Sequence, residues 1–451
     1  MSSLSKENIL GVGSVYPLIF KMSIPPMFSM MIQSLYNIID SMYVASISSD
    51  ALMAVSIVFP IQNVILAVSV GFGIGLGSVM ARSIGSNDIN LTNKVANHGI
   101  ILTIILSIIF VISTFTVVDQ YVSAYAINAN VLQLGKTYGY IIMSFSFAML
   151  FGLYFEKIFQ SRGNMIIAMV SHSTGAIVNI ILDPILIFGY LGAPELGVSG
   201  AAIATVTGQV LSLAIMSVYF VIKEKEIKIN LKGFVFDFNL IKNIFSVAVP
   251  SSLIIAIPSI FVSLLNGILL PIEPIAVNVL GVYMKMQTFA FMPISGLVQG
   301  IRPIIGFNYG ANKISRMYEV VKKSLVVGVL IMLAMTLLFW IMAEPILYMF
   351  DADDTMLELG VSSLKIISLG FILMAITTVL ASFFESLGYG LYSLSITVTK
   401  QLLVLVGLAF FLAPIIGPNG VWVSFPIGEF VGLIVSLFFL RKVCNQVSKI
   451  Y

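Results

Sequence analysis

The chain has 451 residues, of which 59% are apolar and only 10% charged, against about a quarter charged in soluble domains. A soluble protein of this length cannot hide so much apolar surface, and a formal charge of +3 is too small to point to an acidic partner. A soluble globular enzyme, a disordered chain and a nucleic-acid-binding module are therefore excluded, and a single cysteine, Cys444, excludes a disulfide framework and a cysteine-built zinc site.

A helix needs about 20 apolar residues to cross a bilayer. Twelve segments meet that requirement in chain order: 16–44, 52–80, 96–118, 137–159, 165–190, 197–222, 243–270, 276–301, 320–343, 362–384, 393–416 and 420–440. Residues 1–13 are polar with one Lys6, and no cleavage site follows, so the first apolar stretch reads as a span and not as a leader. The predicted class is an all-α integral membrane protein embedded in a lipid bilayer. With both termini, loop 223–242 and each even-to-odd connection placed inside the cell, all but four of the 23 lysines and arginines fall inside; the exceptions are Lys136, Lys285, Lys365 and Lys400. That asymmetry is the positive-inside pattern.

The two halves superpose at an offset of 225 residues. Gly71, Gly75, Gly85 and Asn87 meet Gly296, Gly300, Gly310 and Asn312, and FQSRG (159–163) meets FESLG (384–388). Near the end the offset drops to 220, where Gly200, Gly208 and Gln209 meet Gly420, Gly428 and Glu429. Six spans per half keep both repeats in one orientation, so the repeat is parallel. The expected organisation is an N-lobe of residues 1–222, a polar inner linker 223–242 and a C-lobe 243–451. Two six-helix lobes around a cleft is a transporter's design. No phosphate-binding loop is present, and the run GFGIGLG (71–77) lies inside a span without a preceding strand, which reads as helix packing through small residues. Energy, where it is used, has to come from an ion gradient.

Charges inside a membrane cost about 2.5–3.5 kcal/mol each even on the lenient scale, so those retained call for a reason. They are read as Asp40, Asp183, Lys285, Lys400 and Glu429. Gln33, Asn37 and Asp40 follow at i, i+4 and i+7, one helical face, with Tyr36 one turn before Asp40. Asp183 has Asn179 one turn earlier. Both acids come late in odd-numbered spans, which gives them similar depth in the outer half. Two neighbouring carboxylates in a partly dry pocket cannot both stay ionised cheaply, which suits a proton carrier; the same oxygens, with Asn179 and a threonine, also suit Na+. The matching places in the second half hold Leu265 and Leu408, so ion coupling is expected in the N-terminal half alone. Lys285, with Met286 and Gln287 beside it, either lines the cleft or reaches outward. Glu429 is a cleft residue or one end of a buried interhelical bond. Lys400, near the inner end of its span, is expected to snorkel, and His172 to be a packing histidine. Methionines cluster in the first span (Met27, Met30, Met31) and the eighth (Met284, Met286, Met292), flexible surfaces suited to a promiscuous pocket.

The segments LYNIIDSMYVA (35–45), NIILDPILIFG (179–189), GVSGAAIAT (197–205) and RPIIGFNYGAN (302–312) resemble the multidrug and toxic compound extrusion (MATE) transporters over nearly the whole chain, most of all the bacterial and archaeal branch with an acid in the first span. The resemblance implies twelve helices in two lobes in a prokaryotic cell membrane, a secondary antiporter and not an enzyme, and a monomer that exports amphipathic organic cations in exchange for H+ or Na+ without a cofactor. By the same resemblance Asp40 is the coupling acid, surrounded by Tyr36, Asn179, Asp183 and Thr205, with a Na+ site at Asp40, Asn179, Asp183 and Thr205 as the one metal site in view. It also makes Pro26 a point of first-span bending, with Pro25 beside it. Gln33, Asn37, Met30, Lys285, Met286, Gln287 and Glu429 are the candidates for the substrate cleft. The acids that another branch carries in its tenth span have no counterpart in residues 362–384. Two other readings compete: a flippase of lipid-linked precursors from the same superfamily, which needs a strongly cationic cleft, and an integral membrane transferase, for which the acids Asp351, Asp353 and Asp354 in an outer loop are the best available cluster.

Overall fold

The structure, a computed structural model, describes residues 8–450, and Lys6 lies outside them. Twelve long helical segments account for the predicted spans: α1 (Val15–Ile47), α2 (Ser49–Gly85), α3 (Ile89–Tyr125), α4 (Ala129–Ser161), α5 (Met165–Phe188), α6 (Val198–Lys223), α7 (Phe238–Leu269), α8 (Pro274–Gly310), α9 (Ile314–Ile341), α10 (Asp354–Ser368 and Phe371–Leu387, bent by 44°), α11 (Gly390–Ile416) and α12 (Asn419–Ile450). The longest, α2, α3 and α8, have 37 residues each. At 1.5 Å per residue they are about 55 Å long and project well past a 30 Å hydrocarbon layer.

The helices start where a side chain can take up a free backbone N–H. Ser48, Asp88, Asn128, Asn164 and Asp237 cap α2, α3, α4, α5 and α7 in this way. Asp353 does the same for α10, accepting from the Met356 N–H at 2.8 Å, and Asp354 lies in that helix's first turn. Two of the three acids of that loop, Asp353 and Asp354, thus serve the start of a helix, which weakens the observation behind a transferase. Prolines 25 and 26 sit inside α1, which runs on through both.

The repeat is visible in the backbone. Asn87 and Asn312 close the α2–α3 and α8–α9 turns with the same left-handed φ of 58°, a conformation asparagine tolerates better than most residues. The repeat-related glycines build the contact between lobes. Gly71 and Gly75 lie against Ser252 and Ala248 of α7, while Gly296 and Gly300 lie against Met27 and Ser23 of α1. A Cβ on Gly85 would overlap the Phe307 carbonyl, and one on Gly310 the Arg82 carbonyl, so α2 and α8 cross backbone to backbone through small residues.

Every hydrogen bond described between the lobes lies in this same half of the bundle, the end that carries the basic linker. Ser78 donates to the Glu385 carbonyl (2.6 Å), Arg82 to the Leu387 carbonyl (2.8 Å), and Asn308 to the Leu10 carbonyl (2.9 Å). The described hydrogen bonds thus fasten the lobes to each other at the basic end.

The cores differ. The C-lobe has one continuous core, which also takes in Val15, Leu18, Ile19 and Met22 from the first turns of α1. The N-lobe has two: one around Phe72, Tyr154 and Phe159 near the basic end, one around Val44, Val58 and Tyr138 further out. Helix α1 therefore begins on the C-lobe and finishes in the N-lobe. The linker is strapped to the N-lobe: Asn93 and Asn97 accept from the Lys228 and Asn230 N–H groups, and Lys94 pairs with Asp237 at 2.6 Å. That bond from Lys94, with backbone donors of α7, holds the Asp237 carboxyl below the usual carboxylate range.

Candidate functional site

The outer part of the N-lobe brings Asp40, Asp183, Asn179, Tyr36 and Thr205 together. Asp183 and Asn179 are one turn apart on α5, and both are almost fully buried (0% and 2% exposed). The Asn179 amide donates to Asp183 Oδ1 at 3.4 Å and to Thr205 Oγ1 of α6 at 3.3 Å. Helix α1 packs on α5 and presents Asp40, half-buried, so that the two carboxylates lie within electrostatic reach of each other. Tyr36 faces both.

The chemistry of this pocket lies in what it leaves unpaired. Asp40 Oδ1, Asp183 Oδ2 and Asn179 Oδ1 are buried, and among the described residues none donates a hydrogen bond to them. Buried polar groups ordinarily find partners, and a one-sided excess of acceptor oxygens in an apolar setting suits a cation. H+ satisfies it by covering one carboxylate; Na+ satisfies it by taking oxygen ligands from all sides.

Two members escaped the sequence reading. Tyr138 of α4 is 2% exposed and lies within the field of Asp40, Asp183 and Tyr36, and Gln62 of α2 donates to its hydroxyl at 3.3 Å. Nothing in their spacing marks them, since tyrosine and glutamine are unremarkable within a span.

The cleft candidates scatter. Gln33 and Asn37 are exposed, on the α1 face that also carries the half-buried Asp40. Met30 accepts a contact from Gln299 of α8 at 3.5 Å, which places it at the junction of α1 and α8. Lys285 is exposed and lies 5.5 Å from the Phe350 ring in the α9–α10 connection, so it reaches toward the outer end. Met286 packs against the C-lobe core and Gln287 is half-buried beside it.

Two sequence expectations need correction. Lys400 does not snorkel. It is 8% exposed and bonds both oxygens of Glu429 at 2.9 Å, with Thr377 Oγ1 bridging at 3.2 Å to the amine and 3.1 Å to the carboxylate. Helix α11 widens into π turns at Val398–Leu405, and the lysine stem runs along Gly432 of α12, which turns it inward toward a partner worth more than solvent contact. The list of intramembrane charges was also short. Glu156 and Lys157 on α4 are buried and paired at 2.8 Å. Glu385 on α10 is buried and paired with Arg302 at 2.7 Å.

Two helical lobes of membrane-spanning length, fastened to each other at one end, and a buried acidic pocket in an apolar wall are the plan of a membrane transporter. The chain matches the MatE family over residues 25–185 and 247–411 and belongs to it; it is a multi-pass secondary transporter. It is 25% identical over 439 residues to the multidrug export protein MepA of Staphylococcus haemolyticus (strain JCSC1435), covering 97% of this chain and 95% of that one. The MepA protein of Staphylococcus aureus (strain NCTC 8325 / PS 47) is also 25% identical, over 418 residues, covering 92% and 91%. A solved structure described as the outward-facing conformation of a multidrug resistance MATE family transporter superposes with a TM-score of 0.92 at 26% identity, covering 99% of this chain and 100% of that one.

Proposed function

We propose that the chain is a multidrug exporter that exchanges amphipathic organic cations for H+ or Na+, with Asp40 and Asp183 as the coupling site. The observation that carries this reading is the set of three buried, unpaired oxygens from two helices at the open end of the N-lobe. Asn179, Thr205 and Tyr36 hold that set in place. An ion bound there removes the repulsion between the carboxylates, and it drives transport only so far as it binds one arrangement of the lobes better than the other. A cationic substrate in the cleft competes for the same negative charge. No organic cofactor takes part. The relatives' description as multidrug exporters supports the substrate class, and the apolar, methionine-bearing walls suit it. The lobes of residues 1–222 and 243–451 rock about the glycine contact, and α1, rooted on the C-lobe, is the element that bends. Both termini and the linker 223–242 face the cytoplasm, so the cleft opens outward.

The test is ethidium transport by the purified chain in liposomes with a pH gradient and a sodium gradient imposed separately. Transport driven by either supports antiport, and transport indifferent to both rejects it. Orientation is tested with single cysteines at positions 230 and 353, Cys444 removed, and an impermeant thiol reagent on intact cells. Labelling at 353 alone is expected; labelling at 230 alone reverses the orientation.

A further inference from the structure

The N-lobe holds a second ionisable cluster nearer the basic end. Glu156 and Lys157 of α4 are 5% and 8% exposed. Lys157 Nζ donates to Glu156 Oε1 at 2.8 Å and to Gln160 Oε1 at 3.0 Å. The other carboxylate oxygen, Oε2, lies 2.8 Å from His172 Nε2 of α5, and His172 Nδ1 lies 3.4 Å from Ser212 Oγ of α6. Both ring nitrogens therefore face groups that accept either protonation state. In the neutral ring Nε2–H donates to Glu156 and the serine hydroxyl donates to Nδ1. In the charged ring both N–H groups donate, and the hydroxyl turns to accept. One proton can arrive or leave with no heavy atom displaced.

This cluster is aligned with the Asp40–Asp183 pocket. His172, Asn179 and Asp183 are spaced i, i+7 and i+11 and share one face of α5, as Thr205 and Ser212 share one face of α6. The two faces meet at Asn179–Thr205 and again at His172–Ser212. Between these points Gly175 and Gly208 cross with each backbone against the other's carbonyl, which keeps the faces together over about 16 Å of helix. The side-chain oxygens of Ser171 and Ser173, on either side of His172 in the chain, are buried without a partner among the described residues. Beyond the cluster, Lys157 and Gln160 border a cavity of about 30 Å³ between the lobes, whose far side is Arg302 and Glu385. That volume admits a water molecule.

We infer that His172 and Glu156 form an inner proton-binding site, through which the ion taken up at Asp40 and Asp183 leaves toward the basic end. The inference rests on the antiport reading and names its ion as the proton. Lys157 already holds the other oxygen of Glu156 and the Gln160 oxygen, and a histidine hydrogen-bonded at both nitrogens offers Na+ nothing. The charged groups facing the pair are few: Lys157 on its own helix, Arg302 and Glu385 across the cavity, and Asp183 at the far end of the α5 face. Helix α2 presents Gly73 and Gly77, and α6 presents Ser212.

The test uses the full chain in liposomes with ethidium as probe, an imposed pH gradient, and the pH at the basic end varied at constant gradient. His172→Gln keeps hydrogen bonding and removes the titratable ring. Glu156→Gln combined with Lys157→Met removes the carboxylate without stranding a charge, and serves if His172→Gln fails to fold. Either variant is expected to transport at least about tenfold more slowly, the worth of a hydrogen bond to a charged group. It is also expected to lose the dependence on basic-end pH while still binding ethidium in detergent. A merely structural histidine would not move the pH dependence. Wild-type rate and pH profile in folded variants overturn the proposal, as does wild-type transport driven by sodium alone. Wild-type transport driven by neither gradient overturns the antiport reading and this inference with it.

Discussion

The N-lobe and the C-lobe share one helix plan, yet the Asp40–Asp183 pocket and the Lys400–Glu429 pair handle charge in opposite ways. In the C-lobe, Glu429 is closed off by Lys400 and Thr377, every oxygen of the carboxylate has a donor, and the surrounding core is continuous. In the N-lobe, two carboxylates meet no cation, three oxygens go without donors, and the core is split into an outer and an inner part. The C-lobe supplies its own counter-ion as a side chain. The Asp40–Asp183 pocket has no such side chain among the described residues, although Glu156 of the same lobe has Lys157. Under the proposed function the difference leaves ion exchange to the Asp40–Asp183 pocket and a structural role to the Lys400–Glu429 pair, and the C-lobe positions matching the two acids are Leu265 and Leu408.

The largest effect should follow from removing an acid of the open pocket. Asp183→Asn is expected to return ethidium accumulation in a pump-deficient host to the level of cells lacking the protein, while membrane expression persists, because losing an intramembrane charge removes a cost. The C-lobe pair should respond differently. Lys400→Met leaves the part-buried Glu429 without its cation and should destabilise the protein by up to about 3 kcal/mol, with stability regained when Glu429→Leu is added. Thermal unfolding in detergent measures this. The double variant should keep gradient dependence, and loss of coupling in a stable double variant would break the division between lobes. A smaller effect is expected at the hinge. Gly85→Val forces the α2–α8 crossing apart at a cost of about 1–3 kcal/mol, which should lengthen the distance between spin labels at Asn90 and Lys322. An unchanged distance would show that the closure is not set there. The smallest effect is expected from Leu265→Asn, which places an amide in the C-lobe at the repeat equivalent of Asp40. It should lower stability modestly as an unsatisfied buried polar group and leave coupling unaltered.

Much of this was legible in the sequence. Twelve apolar runs gave twelve spans because lipid forces the backbone to satisfy itself within helices, and the paired glycines marked the repeat, although that they also build the contact between lobes shows only in the packing. Asp40, Asn179 and Asp183 stood out because acids are rare in apolar runs. Glu156 and Lys157 were missed since adjacent opposite charges at the end of a span look like an interface, and only the meeting of α4 with His172 on α5 shows them to be inward. Lys400 was misread because sequence position gives depth but not direction. The π turns of α11 and the Gly428 and Gly432 groove set that direction, and the two glycines at i and i+4 flanking Glu429 were the one available sign. Tyr138 and Gln62 carried no sign at all; they belong to the pocket through tertiary packing alone.

The central claim is that the charge of Asp40 changes or is screened during each transport cycle. Purified Asp40→Asn in liposomes, with the pH and sodium gradients imposed one at a time and ethidium as probe, tests it most directly. The account predicts that neither gradient drives transport in the variant while ethidium still binds in detergent. Wild-type gradient-driven rates from a folded, fully reconstituted Asp40→Asn would show that the residue is structural and that the coupling ion binds elsewhere.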